Sequence, residues 1–181
     1  MDRRAGTRDV IPISDAPSAP TGVAPATRSA PAPVPRPSRP AGLGRVGVVL
    51  VSHSEELALA VRTLALSLAR SEDPSPVAAT GGSPDGLGTS AVLVAAAARR
   101  VDQGHGVAVL SDLDGAVSTV LALIADADEH GLPFPVRFAD APFVEGAVAA
   151  VATATAGGDL TAVLDAAEET FRQHKTGGPH M

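Results

Sequence analysis

VGVVLVSHS, residues 46–54, decides the fold. Its apolar residues are consecutive and mostly β-branched, so the stretch over Val46–Ser52 reads as a strand buried on both faces. EELALAVRTLALSLAR, residues 55–70, follows with no intervening loop. Leu57, Val61, Leu64 and Leu68 recur there at helical spacing and mark the face expected to turn inward. A strand that runs straight into a helix is half of a crossover unit, and the remaining sequence repeats it.

Downstream, PVAAT (76–80) is a weaker strand and GGSPDGLG (81–88) is a loop by composition. TSAVLVAAAARRV (89–101) reads as a helix, with Thr89 placed to cap it and Arg99 and Arg100 suited to its carboxyl end. GVAVLS (106–111) is another buried strand. GAVSTVLALIADADEH (115–130) is a helix with Val117, Leu121 and Ile124 inward. PVRFA (135–139) is a fourth strand, and helices at 144–156 and 159–171 complete the pattern. Alternation of buried strands with helices predicts an α/β fold: a mainly parallel four-stranded sheet with helices on both faces. Its expected strand order is 2-1-3-4.

Upstream the composition changes abruptly. Residues 1–44 hold nine of the sixteen prolines, including PAPVPRPSRP at 31–40. Proline fixes φ and removes a backbone donor, so 1–44 is expected to be a disordered Pro-rich tail. The folded domain is expected at 45–172, with a flexible C-terminus at 173–181.

Apolar residues make up 45% of the chain, but there are four Phe and neither Tyr nor Trp. The core must therefore be assembled from Ala, Val and Leu. With no Cys, disulfides, thiolate metal sites and a Cys nucleophile are excluded. Residues 1–44 carry six Arg against three Asp, so the net charge of −6 divides as +3 there and −9 over the rest. An acidic folded part argues against nucleic acid as a partner. No apolar run approaches the roughly 18 residues of a membrane span, and the first residues lack the apolar stretch of a secretory signal. These features lead to the expectation of a cytoplasmic protein without membrane association. The carboxylates show no ligand spacing for a metal, and the glycine-rich loop lacks the Lys-Ser/Thr ending of a nucleotide-binding P-loop. Neither metal nor cofactor is expected.

In a sheet of this kind a ligand site lies beyond the carboxyl ends of the strands, where strand order reverses. The residues there are Ser52-His53-Ser54, the 81–88 loop, Asp112 to Gly115, and Asp140-Ala141-Pro142. His53 follows a buried strand and precedes a helix; His105, His130, His174 and His180 lack that setting. A neutral imidazole, with an unperturbed pKa of about 6.5, is a good nucleophile toward phosphorus near neutrality. A phosphoryl adduct would lie near free N–H groups of a helix N-terminus. Ser52 and Ser54 are candidate donors to it, although Ser52 and Glu55 also have capping-box spacing. In a 2-1-3-4 sheet, Asp112 faces His53 and can fix its tautomer; capping the next helix is the other use of that Asp, with Asp114 competing for the cap. Position alone leaves open whether His53 is chemical or an ordinary loop residue.

VGVVLVSHS, GLGTSAV (86–92), VAVLSDLDGA (107–116) and APFVEGAVAAVATATAGGDL (141–160), in that order and spacing, resemble the mannose-type IIA family of the sugar phosphotransferase system. Within that family they are most similar to the phosphotransferase subunits of phosphoenolpyruvate-dependent dihydroxyacetone kinase, over residues 46–171. The resemblance implies a homodimer whose His53 accepts phosphate from the phosphocarrier HPr. It implies transfer onward to ADP on the DhaL subunit, and then to dihydroxyacetone on the DhaK subunit. Asp112 corresponds to the family's Asp after the third strand, and Gly88 and Thr89 to part of its G-x-GT turn. The family usually reads D-[LM]-G-S-A where this chain has Asp112-Leu113-Asp114-Gly115-Ala116, which places a charge at 114 and Gly115 where a Ser is expected. This departure motivates an alternative expectation: a non-enzymatic regulatory module signalling through phosphorylated His53.

Overall fold

A computed structural model describes residues 44–82 and 86–172. The expected tail at 1–44 and C-terminus at 173–181 fall, apart from Gly44, outside the described residues. Four strands form one sheet: β1 (Gly47–Ser52), β2 (Val77–Gly81), β3 (Val107–Ser111) and β4 (Val136–Phe138). Five helices accompany them: α1 (Glu55–Ala69), α2 (Ala91–Val101), α3 (Asp114–Ala125), α4 (Phe143–Thr155) and α5 (Leu160–Glu168), the last continued by a 3₁₀ turn at Glu169–Arg172. The strand order is β2-β1-β3-β4 and every pairing is parallel, as the alternation predicts.

Side chains alternate across the strands and supply two core layers. Val46, Val48, Leu50, Ala108 and Leu110 meet α1, α4 and α5 on one face. Val49, Val51, Val107 and Val109 meet α2 and α3 on the other. The helices contribute mostly alanine and valine, so they lie close to the sheet. Gly146 shows how close: a Cβ there would stand 2.7 Å from Ala141 Cβ and 3.1 Å from Leu110 Cδ2.

The helix faces differ from the sequence expectation. In α1 the buried residues are Ala58, Val61 and Ala65; Leu57, Leu64 and Leu68 are about half exposed. Packing on both the sheet and α4 leaves room on the inner side only for small residues, so the leucines are displaced outward. In α3 the buried set is Ala116, Val120 and Leu123, one residue out of step with the expected Val117, Leu121 and Ile124. The period is right and the phase is not, because α3 begins at Asp114 and ends at Ala125 rather than His130. Ser90, not Thr89, caps α2, its Oγ accepting from Leu93 N at 3.5 Å.

The inversion on α1 is measurable. Leu50 is fully buried and Leu64 is 43% exposed. Leu50→Ala is expected to lower unfolding free energy by about 2–5 kcal/mol, and Leu64→Ala by less than about 1 kcal/mol. Equal losses in urea titrations would contradict this assignment of faces.

Candidate functional site

Consecutive strands of the sheet send their chains to opposite sides. After β1 the chain enters α1 on one face; after β3 it enters α3 on the other. A crevice opens between the two helix starts, at the point where strand order reverses. Val51 is in register with Ser111, so the residues that follow each strand, Ser52-His53 and Asp112, stand side by side. Asp112 N extends the ladder by donating to Val51 O at 3.3 Å.

The Asp112 carboxylate receives donors from both strands. Ser52 Oγ donates to Oδ2 at 2.6 Å, and His53 N donates to the same oxygen at 3.1 Å. Leu113 N donates to Oδ1 at 2.7 Å. His53 Nδ1 lies 3.1 Å from Oδ1. A carboxylate has no proton to give, so Nδ1 carries the hydrogen and donates it; in the neutral ring Nε2 then holds the free lone pair. The Asp112 side chain is 9% exposed and that of His53 28% exposed. Burial pushes the Asp112 pKa up, but the hydrogen bonds from Ser52, His53 and Leu113 outweigh it and hold the carboxyl below its ordinary value.

The structure thus brings His53 and Asp112 together as the topology predicts, and gives the neighbouring residues distinct tasks. Ser52 is buried and spends its proton on Asp112, so its hydroxyl supports the carboxylate instead of serving as a phosphate donor. It also accepts from Ser54 N at 3.1 Å. The α1 cap is Ser54, whose Oγ accepts from Leu57 N at 3.3 Å, so the Ser52–Glu55 capping box does not form. Asp112 serves the histidine; Leu113 is the N-cap position of α3 and makes no side-chain cap, and Asp114 is the helix's first residue.

The 81–88 loop is fastened to the site through Gly88 N, which donates to His53 O at 2.9 Å. Strand β2 closes tightly on the same turn: a Cβ on Gly81 would stand 2.3 Å from Ser52 O. Thr89 Oγ1 and Ser111 Oγ are buried with no hydrogen-bond partner among the described residues. Gly115, in the first turn of α3, is the residue beside Nε2, at the position where a Cβ would be 2.9 Å from that atom. Gly115 is among the strand-end residues the sequence marks as supporting the site, and the structure sets it against the ring of His53. Between α1 and the loop lies a cavity of about 510 Å³ lined by Ser54, Glu55, Glu56, Gly81, Gly82, Gly86, Leu87 and Leu93. Its two glutamates disfavour an anion there. Among the described residues no group of three or more His, Asp or Glu is arranged to hold a metal, and no helix is long and apolar enough to cross a membrane.

The chain belongs to the EIIA-man family, described as the PTS system fructose IIA component, whose sequence model matches residues 47–164. Among curated proteins it is 31% identical over 132 residues to the PEP-dependent dihydroxyacetone kinase, phosphoryl donor subunit DhaM, of Providencia stuartii (strain MRSN 2154), covering 70% of this chain. It is 34% identical over 125 residues to the subunit of the same name from Escherichia coli (strain K12), covering 66% of this chain. The matched stretch spans 27% and 25% of those two proteins. A crystallised protein of unknown function is 25% identical with a TM-score of 0.58, covering 74% of this chain and 99% of its own. A sigma-54 interaction domain protein from Enterococcus faecalis shares the fold at 14% identity, with a TM-score of 0.51 over 72% of this chain and 93% of its own.

The depressed Asp112 pKa has a consequence for stability. A carboxyl whose folded pKa lies below its unfolded value contributes stability above the unfolded pKa, near 3.9 for Asp, and loses it as pH falls through the folded value. Wild type is therefore expected to exceed Asp112→Asn in urea midpoint at pH 7, and the gap to narrow once pH drops below about 4. An equal gap at pH 7 and pH 3 would show that these donors do not favour the charged carboxylate.

Proposed function

We propose that the chain is a phosphoryl carrier that takes phosphate from phospho-HPr onto Nε2 of His53 and passes it to ADP on a DhaL subunit, for use by DhaK on dihydroxyacetone. The supporting observation is the Asp112–Nδ1 hydrogen bond, which directs the ring's free lone pair to Nε2. The Nε2 lone pair attacks the phosphorus of the donor's phosphohistidine. The donor's N–P bond breaks and its electrons return to the donor nitrogen. A new Nε2–P bond forms, and the Nδ1 proton stays in place, shared with Asp112, which stabilises the positive charge that develops on the ring. In the second transfer a terminal phosphate oxygen of ADP attacks the same phosphorus, and His53 leaves as neutral imidazole. No proton has to be relayed through the protein in either step. The names of the DhaM relatives favour dihydroxyacetone kinase over another phosphotransferase pathway. The G-x-GT resemblance assigns Gly88 and Thr89 a supporting role, and Gly88 N–H, which donates to His53 O, fits holding the histidine's turn rather than contacting phosphate. The setting is the cytoplasm, and the carrier acts as a homodimer, for which the half-exposed leucines of α1 supply apolar surface.

Labelling with radioactive phosphoenolpyruvate, enzyme I and HPr tests the transfer. Wild type is expected to gain acid-labile phosphate and His53→Ala none. Asp112→Asn should remain folded at neutral pH and label on the order of 10²–10⁴-fold more slowly, the range set by losing an oriented partner of a reacting imidazole. Undiminished labelling of His53→Ala would refute the assignment. Sedimentation of the full chain at micromolar concentration should show a dimer; a monomer alone would refute that part.

A further inference from the structure

Gly115 is a glycine that neither its backbone nor its packing explains. It lies in the first turn of α3, and its φ is not among the positive values that favour glycine. Its position is exposed, so no core contact excludes a side chain. Glycine is the poorest helix former after proline, so the helix gains nothing from it. A Cβ at this position would meet one residue outside the immediate backbone: His53, with Nε2 at 2.9 Å and Cε1 at 3.4 Å.

We infer that Gly115 is a positioning residue, whose missing side chain leaves Nε2 of His53 room for a phosphorus and its three oxygens in line with the ring. The inference rests on the phosphocarrier reading and concerns how this chain's own site admits the group. The first atom of any side chain at 115 crowds the nitrogen that must react. The ring cannot swing away freely, because Nδ1 is held 3.1 Å from Asp112 Oδ1. The loop is held as well: Leu113 N donates to the same oxygen at 2.7 Å. The Ser that the family resemblance implies at this point of the loop is therefore not interchangeable with Gly115. Restoring it would supply a hydroxyl, but its Cβ would press on the imidazole first. An in-line transfer is sensitive to such displacement, and a misplacement of about 1 Å can cost on the order of 10²-fold in rate.

The test uses the full chain as wild type, Gly115→Ala, Gly115→Ser and His53→Ala. Single-turnover labelling is followed against phospho-HPr concentration, and separately with phosphoramidate, a small phosphoryl donor that needs no docking surface. In both variants the maximal rate is expected to fall on the order of 10- to 100-fold with either donor. The half-saturating phospho-HPr concentration should stay unchanged. ¹⁵N shifts of the His53 ring should move in both variants, reporting a displaced imidazole. Wild-type rates in both variants would overturn the inference and leave the carrier reading standing. A raised half-saturation at unchanged maximal rate would also overturn it, because Gly115 would then serve docking. Wild type labelled on His53 by phosphoramidate but not by phospho-HPr would remove the carrier reading, while the phosphoramidate rates still decide the role of Gly115. Failure of both donors on wild type would overturn both.

Discussion

The site depends on one carboxylate that ties two strands together. Asp112 leaves β3 and accepts from Ser52 and His53, the residues at the end of β1, as well as from Leu113 beside it. Each donor supplies part of the solvation a buried anion loses, and together they keep the group charged. The same bonds fix the backbone of the β1–α1 turn, the tautomer of His53 and the start of α3. Replacing the carboxylate with an amide leaves the shape but gives the oxygen-side donors a weaker acceptor and exposes one of them to an N–H. Structure and reactivity at this point share a single acceptor.

That acceptor is useful only because the sheet places strands one and three together. A parallel pair cannot be joined by a tight turn, so β1 and β3 are neighbours separated by two crossovers, and the helices that follow them lie on opposite faces. The crevice is a product of connectivity and needs no special residues. The alanine-rich core serves it in another way. Helices carrying Ala58, Ala65, Ala147 and Ala150 toward the sheet lie close to it, so the two layers are thin and the helix starts stand near the strand ends. Glycines at 81 and 146 mark contacts where even a methyl group would not fit. An aromatic-rich core would push these layers apart.

Strand order, element order and the pairing of His53 with Asp112 were legible in the sequence, because each follows from patterns that tertiary context rarely reverses. Consecutive β-branched residues make a buried strand, alternation makes a parallel sheet, and parallel neighbours align their ends. Helix phase was less legible. Leu57, Leu64 and Leu68 have ideal spacing for a buried stripe, yet in α1 the smaller Ala58 and Ala65 are inside, because two packing partners rather than one bound that helix. Phase in α3 is set by where the chain leaves Asp112, which periodicity does not record. Hydroxyl roles were hidden for a related reason: Ser52, Ser54, Thr89 and Ser90 are alike as letters, and only the turn decides which one caps, which supports the carboxylate and which keeps an unpaired oxygen.

The loop after β3 shows how charge and space separate in such a site. Asp114 and Gly115 stand where the family resemblance implies Gly and Ser. Asp114 is the first residue of α3, where the helix dipole favours an anion, so its charge is tolerated by the fold whatever it does to an approaching phosphate. Gly115 has no such structural return; a Cβ there would meet the His53 imidazole. The exchange therefore moves the small residue one position along, from the helix start to the face beside Nε2. A chain with Asp at 114 and Ser at 115 would have both a negative charge and a crowded nitrogen at its crevice. With Gly at 115, the charge remains but the nitrogen is open. On the role proposed for Gly115, space at Nε2 rather than an added hydroxyl is what this version of the loop contributes to His53.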